Sequence, residues 1–246
     1  MECKHHQVNE QHSVDHSSSL CINNVPILDI LSSAEKKEVM NTSISRKFKK
    51  GEVIFSSGHP SANLWIVHKG SVKISRFSSA GKEQIVRILE QGDFTGELSL
   101  FSHTILNSTA EALEPTEICL IQGKVINDLM LKTPQIAIKF LEKYTERIEM
   151  AEDMLEQITL YDVEQRIAKI LLKMLHDQKI DHAKENNIIL PMSKKDLAVM
   201  IGISQETLSR KLSLFQEQGW IKLIGQRQIT ILDQESLNHC VQFLKR

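Results

Sequence analysis

Met192–Trp220, MSKKDLAVMIGISQETLSRKLSLFQEQGW, divides into two apolar-periodic segments around Gly202. In the first, Leu197, Val199, Met200 and Ile201 give a helix its inward face. After Gly202-Ile203, Leu208, Leu212 and Phe215 recur at spacings of four and three, the face of a second helix. Ser193, three residues ahead of Asp196, can cap the first helix, and Ser204, three ahead of Thr207, the second. Two short capped helices joined by a Gly-bearing turn predict a helix-turn-helix. The outward residues of the second helix are then Gln205, Glu206, Ser209, Arg210 and Lys211. All of them can hydrogen-bond, and none buries cheaply.

The flanking sequence completes a small domain over residues 161–246. Leu160-Tyr161-Asp162 reads as a hinge, Val163–Leu175 as a helix, His176–Asn187 as a polar loop and Ile188-Ile189-Leu190 as a short strand. Beyond the second helix, Trp220–Ile224 and Gln228–Leu232 alternate around Gly225-Gln226-Arg227, predicting a hairpin wing whose tip, Arg227, can touch phosphate. A closing helix is expected over Ser236–Leu244, with Cys240 taken as a packing residue. The whole chain carries a net charge of −1, but residues 162–246 hold 13 Lys and Arg against 10 Asp and Glu. The small basic excess sits where phosphate contacts would be made.

Residues 134–160 predict one long helix. Leu141, Tyr144, Ile148, Ala151, Leu155 and Ile158 follow a strict 3-4-3-4-3 spacing, the seam of a coiled coil, and charged residues fill the other faces. That pattern implies a homodimer, in which two helix-turn-helices reach two half-sites about 10 base pairs apart. Residues 25–133 begin with short helical stretches between Ile27 and Ile44 and continue as Gly-punctuated β runs: Val53–Phe55, Leu64–His68, Ser71–Arg76 and Gln84–Leu89. Ser79-Ala80-Gly81 reads as a hairpin tip. Many short strands with frequent turns predict an antiparallel roll. Residues 1–24 are polar and aperiodic and read as a flexible arm carrying Cys3, His5, His6, His12, His16 and Cys21. The fold class is therefore α+β.

With these residues in hand, the chain resembles the superfamily of the cyclic-AMP receptor protein and the anaerobic regulator of fumarate and nitrate reduction (Crp/Fnr). Ser204-Gln205-Glu206-Thr207-Leu208-Ser209-Arg210 matches the family's Ser-x-Glu-Thr-x-x-Arg opening of the recognition helix. The cyclic-AMP branch has Arg where Gln205 stands, whereas Glu206, Ser209 and Arg210 match the Glu-x-x-Ser-Arg of the anaerobic-regulator branch. The nearest likeness is to its Flp-type members in Gram-positive bacteria. The resemblance implies a jelly roll, a dimerisation helix, a winged helix and a TTGAT-like half-site, with Arg210 on G and Glu206 on its paired C. It also implies an RNA polymerase contact through roll loops such as the tip near Ser79.

The signal is harder to read. In the cyclic-AMP branch, a cassette opening with Gly-Glu-Leu ends in an Arg that grips the cyclic phosphate. Here it runs from Gly96-Glu97-Leu98 to Asn107-Ser108-Thr109, with Asn107 in the Arg place. Without the bidentate guanidinium, cyclic-nucleotide binding is not expected. The anaerobic branch has a cysteine where Cys119 stands, but its arm holds three close cysteines, whereas this one holds only Cys3 and Cys21. Three readings stay open: a dithiol–disulfide pair between Cys119 and an arm cysteine, an iron–sulfur cluster or a zinc site at Cys3, Cys21 and Cys119 with other ligands, and a buried apolar Cys119 in a roll gated by a small-molecule effector. No motif of an enzyme is recognised. No apolar run reaches the ~18–20 residues of a membrane span, so the sequence predicts a cytoplasmic regulator of double-stranded DNA.

Overall fold

In a computed structural model of the chain, which describes residues 25–102, 105–181 and 186–242, there are two compact units. One runs to Ile74 and resumes at Ile88–Phe140; the other joins Ser75–Arg87 to the chain from Leu141 onward. The arm with Cys3 and Cys21 lies outside the described residues.

The first unit opens with a 3₁₀ turn, Pro26–Leu28, and helix α1, Ser33–Thr42. Ser32 caps α1 reciprocally: its hydroxyl accepts from the Glu35 amide, and Glu35 accepts from the Ser32 amide at 2.9 Å. Eight strands follow, of which β4 and β5 run into the stretch Ser75–Arg87 that belongs to the second unit: β1 (Ile44–Phe48), β2 (Val53–Phe55), β3 (Asn63–Lys69), β4 (Val72–Phe77), β5 (Glu83–Leu89), β6 (Phe94–Thr95), β7 (Thr109–Ala112) and β8 (Thr116–Gln122). They form two four-stranded sheets, ordered β1-β8-β3-β6 and β2-β7-β4-β5, the expected roll. β1 was not anticipated, because Ile44-Ser45-Arg46-Lys47-Phe48 is too polar to announce a strand. Pairing with β8, from Ile44↔Leu120 to Phe48↔Thr116, makes it one. Helix α2 (Glu97–Ser102) was likewise unread; six residues are too few to display a period.

Between the sheets Phe55, Trp65, Val67, Val72, Leu89 and Ile118 close around a cavity of only about 10 Å³. Gly96 has φ +90°, and a Cβ there would collide with the Asn63 carbonyl and the Trp65 ring. Roll geometry thus accounts for that glycine. Because Trp65, Val67 and Ile118 face inward, their paired neighbours Ile66 and Cys119 face the opposite side. Helices α1 and α3 (Gly123–Lys132) pack against β8, and Val39, Ile126, Leu129 and Ile136 are buried with it.

Helix α4 spans Gln135–Leu160 as expected. In the single chain its seam is open to solvent: Leu141 is 66 % exposed, Ile148 58 %, Leu155 67 % and Ile158 50 %. Ala151 is exposed and Tyr144 half-buried.

The second unit contains α5 (Val163–Asp181), β9 (Asn187–Ile189), α6 (Lys194–Met200), α7 (Gln205–Glu217), β10 (Ile221–Ile224), β11 (Gln228–Ile231) and α8 (Gln234–Gln242). The hinge is a tied corner. Asp162 Oδ1 accepts from the Gln165 amide while Gln165 Oε1 accepts from the Asp162 amide, both at 2.9 Å. Lys169 Nζ stands 4.9 Å above the Tyr161 ring and 3.5 Å from Glu156. Helix α5 runs six residues beyond Leu175. The expected loop begins later because the polar stretch from His176 contains no Gly or Pro to stop a helix. The wing is a three-stranded sheet, β10-β11-β9, and Ile167, Leu171, Leu208, Phe215, Ile229 and Leu237 are buried in this unit.

Candidate nucleic-acid interface

Sequence sets the geometry of α6 and α7 at their ends. Ser193 Oγ accepts from the Asp196 amide, and Ser204 Oγ from the Thr207 amide, each at 3.1 Å. These bonds fill amide groups that a helix leaves open at its first turn. Gly202, at φ +73°, makes the turn between the helices in a conformation that a side chain would strain. Leu197 and Ala198 of α6 and Leu208, Leu212 and Phe215 of α7 are buried, so the two helices are anchored by the periodic residues the sequence displays.

The carbonyls at the end of α6 are also held. Arg166 Nη1 donates to the Ile201 carbonyl at 3.0 Å, and the Gln84 carboxamide donates to those of Val199 (3.0 Å) and Met200 (3.1 Å) within the second unit. Sequence reasoning missed both residues, since neither lies near the motif in the chain.

On α7 the outward face is smaller than the sequence reading implied. Gln205, Glu206, Ser209 and Arg210 are exposed, and among the described residues none holds their side chains. Lys211, expected beside them, instead turns to α5: it is half-buried, and its ammonium lies 2.5 Å from Glu164 Oε1. Successive residues are 100° apart, so Gln205, Ser209, Ser213, Glu206 and Arg210 fall within an arc of about 140°, while Lys211 lies about 100° beyond it. Ser213, exposed on that arc, is the position the sequence reading missed; its spacing of four from Ser209 was the signal. Arg227 stands at the wing tip, half-buried, with its carbonyl accepting from the Leu190 amide at 2.8 Å. Such a surface, with donors and acceptors free and apolar residues turned away, suits the edges of base pairs in a major groove.

The other predicted residues are placed apart from this surface. Cys119 is fully buried, between Ser45 of β1 and Ile66 of β3. Asn107 is exposed. Cys240, taken as a packing residue, is half-buried and borders an open cleft of about 440 Å³ with Asp162, Trp220 and His239. Among the described residues no group of three or more His, Cys, Asp or Glu side chains could hold a metal ion. Nor, among them, is any helix long and apolar enough to cross a membrane.

Comparison with known proteins points the same way as the geometry. Residues 45–133 match the family model of the cyclic nucleotide-binding domain, and residues 165–240 that of the Crp-like helix-turn-helix domain. The chain is 27 % identical to the "CRP-like cAMP-activated global transcriptional regulator" of Mycobacterium tuberculosis, over 77 % of this chain and 84 % of that protein. It is also 27 % identical to the "Probable transcriptional regulator flp" of Lacticaseibacillus casei, over 88 % of this chain and 96 % of that protein. Equal identity to both means that overall similarity does not separate the branches; the recognition helix has to. Among solved structures, FixK2 from Bradyrhizobium japonicum superposes with a TM-score of 0.70 at 25 % identity, covering 82 % of this chain and 98 % of that one.

Proposed function

The chain belongs to the Crp/Fnr family and is a DNA-binding transcription regulator of that type, and from this premise we propose that it works as a homodimer reading a TTGAT-like palindrome. The observation that carries the reading is the free face of α7. Arg210 can grip guanine through O6 and N7, Glu206 can accept from the amino group of the paired cytosine, and Ser209 can reach a base or phosphate. Arg227 at the wing tip supplies a phosphate contact. The open seam of α4 supports the dimer. A lone helix-turn-helix covers too few base pairs, whereas two copies joined by α4 reach two half-sites about one helical turn apart. Selection from random duplexes tests this: the wild-type protein should enrich paired half-sites containing the G·C pair, and Arg210→Ala should flatten that column alone. Enrichment of an unrelated sequence would refute the half-site.

For the signal, we propose a response to oxygen or redox state through Cys119 and the arm cysteines Cys3 and Cys21. Two observations favour it over an effector in the roll. The cavity that Phe55, Trp65, Val67 and Ile118 close inside the roll measures only about 10 Å³, whereas small-molecule sites measure roughly 300–1,000 Å³. Cys119 also faces the side of its sheet on which α1 packs, the helix that follows the arm in the chain. Full burial sets a condition on this switch: the thiol reacts only when the helical cover opens. Among the described residues no group of three or more His, Cys, Asp or Glu side chains includes Cys119, so an iron–sulfur cluster or zinc would draw on the arm for its other ligands. Loss of redox-dependent DNA binding in Cys119→Ser would support the thiol reading. An unchanged response would return the question to an effector.

A further inference from the structure

Helix α6 is only seven residues long, and the turn to the reading helix begins at its end. A helix leaves its last carbonyls without partners of its own. Here the amides of Ile201, Ile203 and Gly202 return to the carbonyls of Leu197, Ala198 and Val199. The carbonyls of Met200 and Ile201 accept instead from side chains, from Gln84 at 3.1 Å and from Arg166 at 3.0 Å. The Gln84 carboxamide nitrogen also donates to Val199 at 3.0 Å and to its own neighbour Ile85 at 3.1 Å. Carbonyl oxygens only accept, so the nitrogen side of the carboxamide must face them. The end of a helix carries partial negative charge, which favours donors there and repels a carboxylate.

Gln84 comes to this helix from 115 residues upstream, on β5. The hairpin that carries it is tied at its tip by the Ser78 amide, which donates to the Lys82 carbonyl at 3.0 Å. Farther back, Ser75 Oγ donates to Glu83 Oε1 at 2.6 Å. Ile85, the next residue, is fully buried, so the strand behind the carboxamide is anchored. Ser75–Arg87 accordingly belongs to the compact unit that holds α6 and α7. From these contacts we propose that Gln84 is a positioning residue for DNA binding. Its N–H groups hold the carbonyls just ahead of Gly202 and so fix the angle at which α7 enters the groove. Because the carboxamide is turned to α6, it reads no base pair. Without these donors the turn keeps its competent geometry only part of the time. Apparent affinity then falls by that fraction, and base preference is kept. The inference rests on the reading of α7 as the DNA-recognition helix.

The test compares full-length wild type with Gln84→Glu, Gln84→Ala and Gln84→Lys. Glu keeps the shape and loses the donors, whereas Lys changes the shape and keeps them. Affinity is measured on duplexes that the wild type selects from random DNA, and amide hydrogen exchange on the free proteins. Gln84→Glu should bind about 5- to 150-fold more weakly. Gln84→Ala should fall between, because water reaches half-buried carbonyls, and Gln84→Lys should stay within about threefold of wild type. Selection from random DNA should return the same base columns for every variant. Amides from Ile203 to Leu208 should exchange faster in Gln84→Glu, while those of β10 and β11 keep wild-type rates. Wild-type affinity in Gln84→Glu would overturn the inference, as would equal losses in Gln84→Ala and Gln84→Lys. Faster exchange across the whole unit in both Gln84→Glu and Gln84→Ala would do the same, since it marks a merely structural residue. So would a changed base column. A wild-type protein that selects no sequence would instead overturn the reading of α7, and this inference with it.

Discussion

Replacing Leu155 by Ala should break the dimer without unfolding the chain. Leu155 is 67 % exposed in the single chain. Burying a whole leucine side chain contributes roughly 1.5–3 kcal/mol, so covering the exposed two thirds contributes about 1–2 kcal/mol for each protomer. A two-fold interface removes two copies at once, giving a loss of about 2–4 kcal/mol. That corresponds to about 30- to 700-fold in the dimer dissociation constant, at 1.4 kcal/mol per factor of ten. Met150, on the same helix and 52 % exposed, lies off the 3-4 seam and supplies the control. Sedimentation from nanomolar to micromolar protein should show Leu155→Ala dissociating at far higher concentration than wild type. Met150→Ala should stay within a factor of about three, the usual scatter for a surface change of under 0.5 kcal/mol. Equal effects of the two substitutions, or none from Leu155→Ala, would refute the seam.

Three further outcomes follow from particular contacts. Because Lys211 is engaged with Glu164, Lys211→Met should leave the slope of log Kd against log salt concentration unchanged; a phosphate contact would lower it by about 0.9 for each copy of the helix. Ser204→Ala should cost about 1 kcal/mol in urea unfolding, within the range of about 0.5–2 for lost caps, and weaken DNA binding by misplacing α7. Full retention of stability would mean the cap is not formed in solution. The thiol of Cys119 should be alkylated at least about 100-fold more slowly in native protein than in denaturant, as expected of a core strand that reacts only on opening. Half-buried Cys240 should react well ahead of it, and prompt labelling of Cys119 would show that its cover is open in the ground state.

The elements most legible in the sequence were those whose signals are local. Ser193, Gly202 and Ser204 act within three residues of themselves, and the helix-turn-helix came out with its caps in place. The α4 seam is likewise a repeat along one helix. What escaped depends on partners distant in the chain. β1 becomes a strand only through β8, some 70 residues on, and Gln84 and Arg166 reach the end of α6 from far upstream. Lys211 shows a different failure. It was grouped with its neighbours because it is charged, although its angle on the helix already pointed it at α5 and Glu164. Cys119 stayed open to all three readings because Ile118 and Leu120 would flank a buried thiol, a redox thiol and a metal-binding thiol alike.

The most direct measurement is the affinity of reduced, anaerobic full-length protein for a TTGAT-N4-ATCAA duplex, set against the same duplex with both G·C pairs changed to A·T. With Arg210 and Glu206 on each G·C pair, and each pair contributing about 1–3 kcal/mol of discrimination, the altered duplex should bind about 30- to 20,000-fold more weakly. Equal affinity for the two duplexes would contradict the assignment of the exposed face of α7 to this half-site.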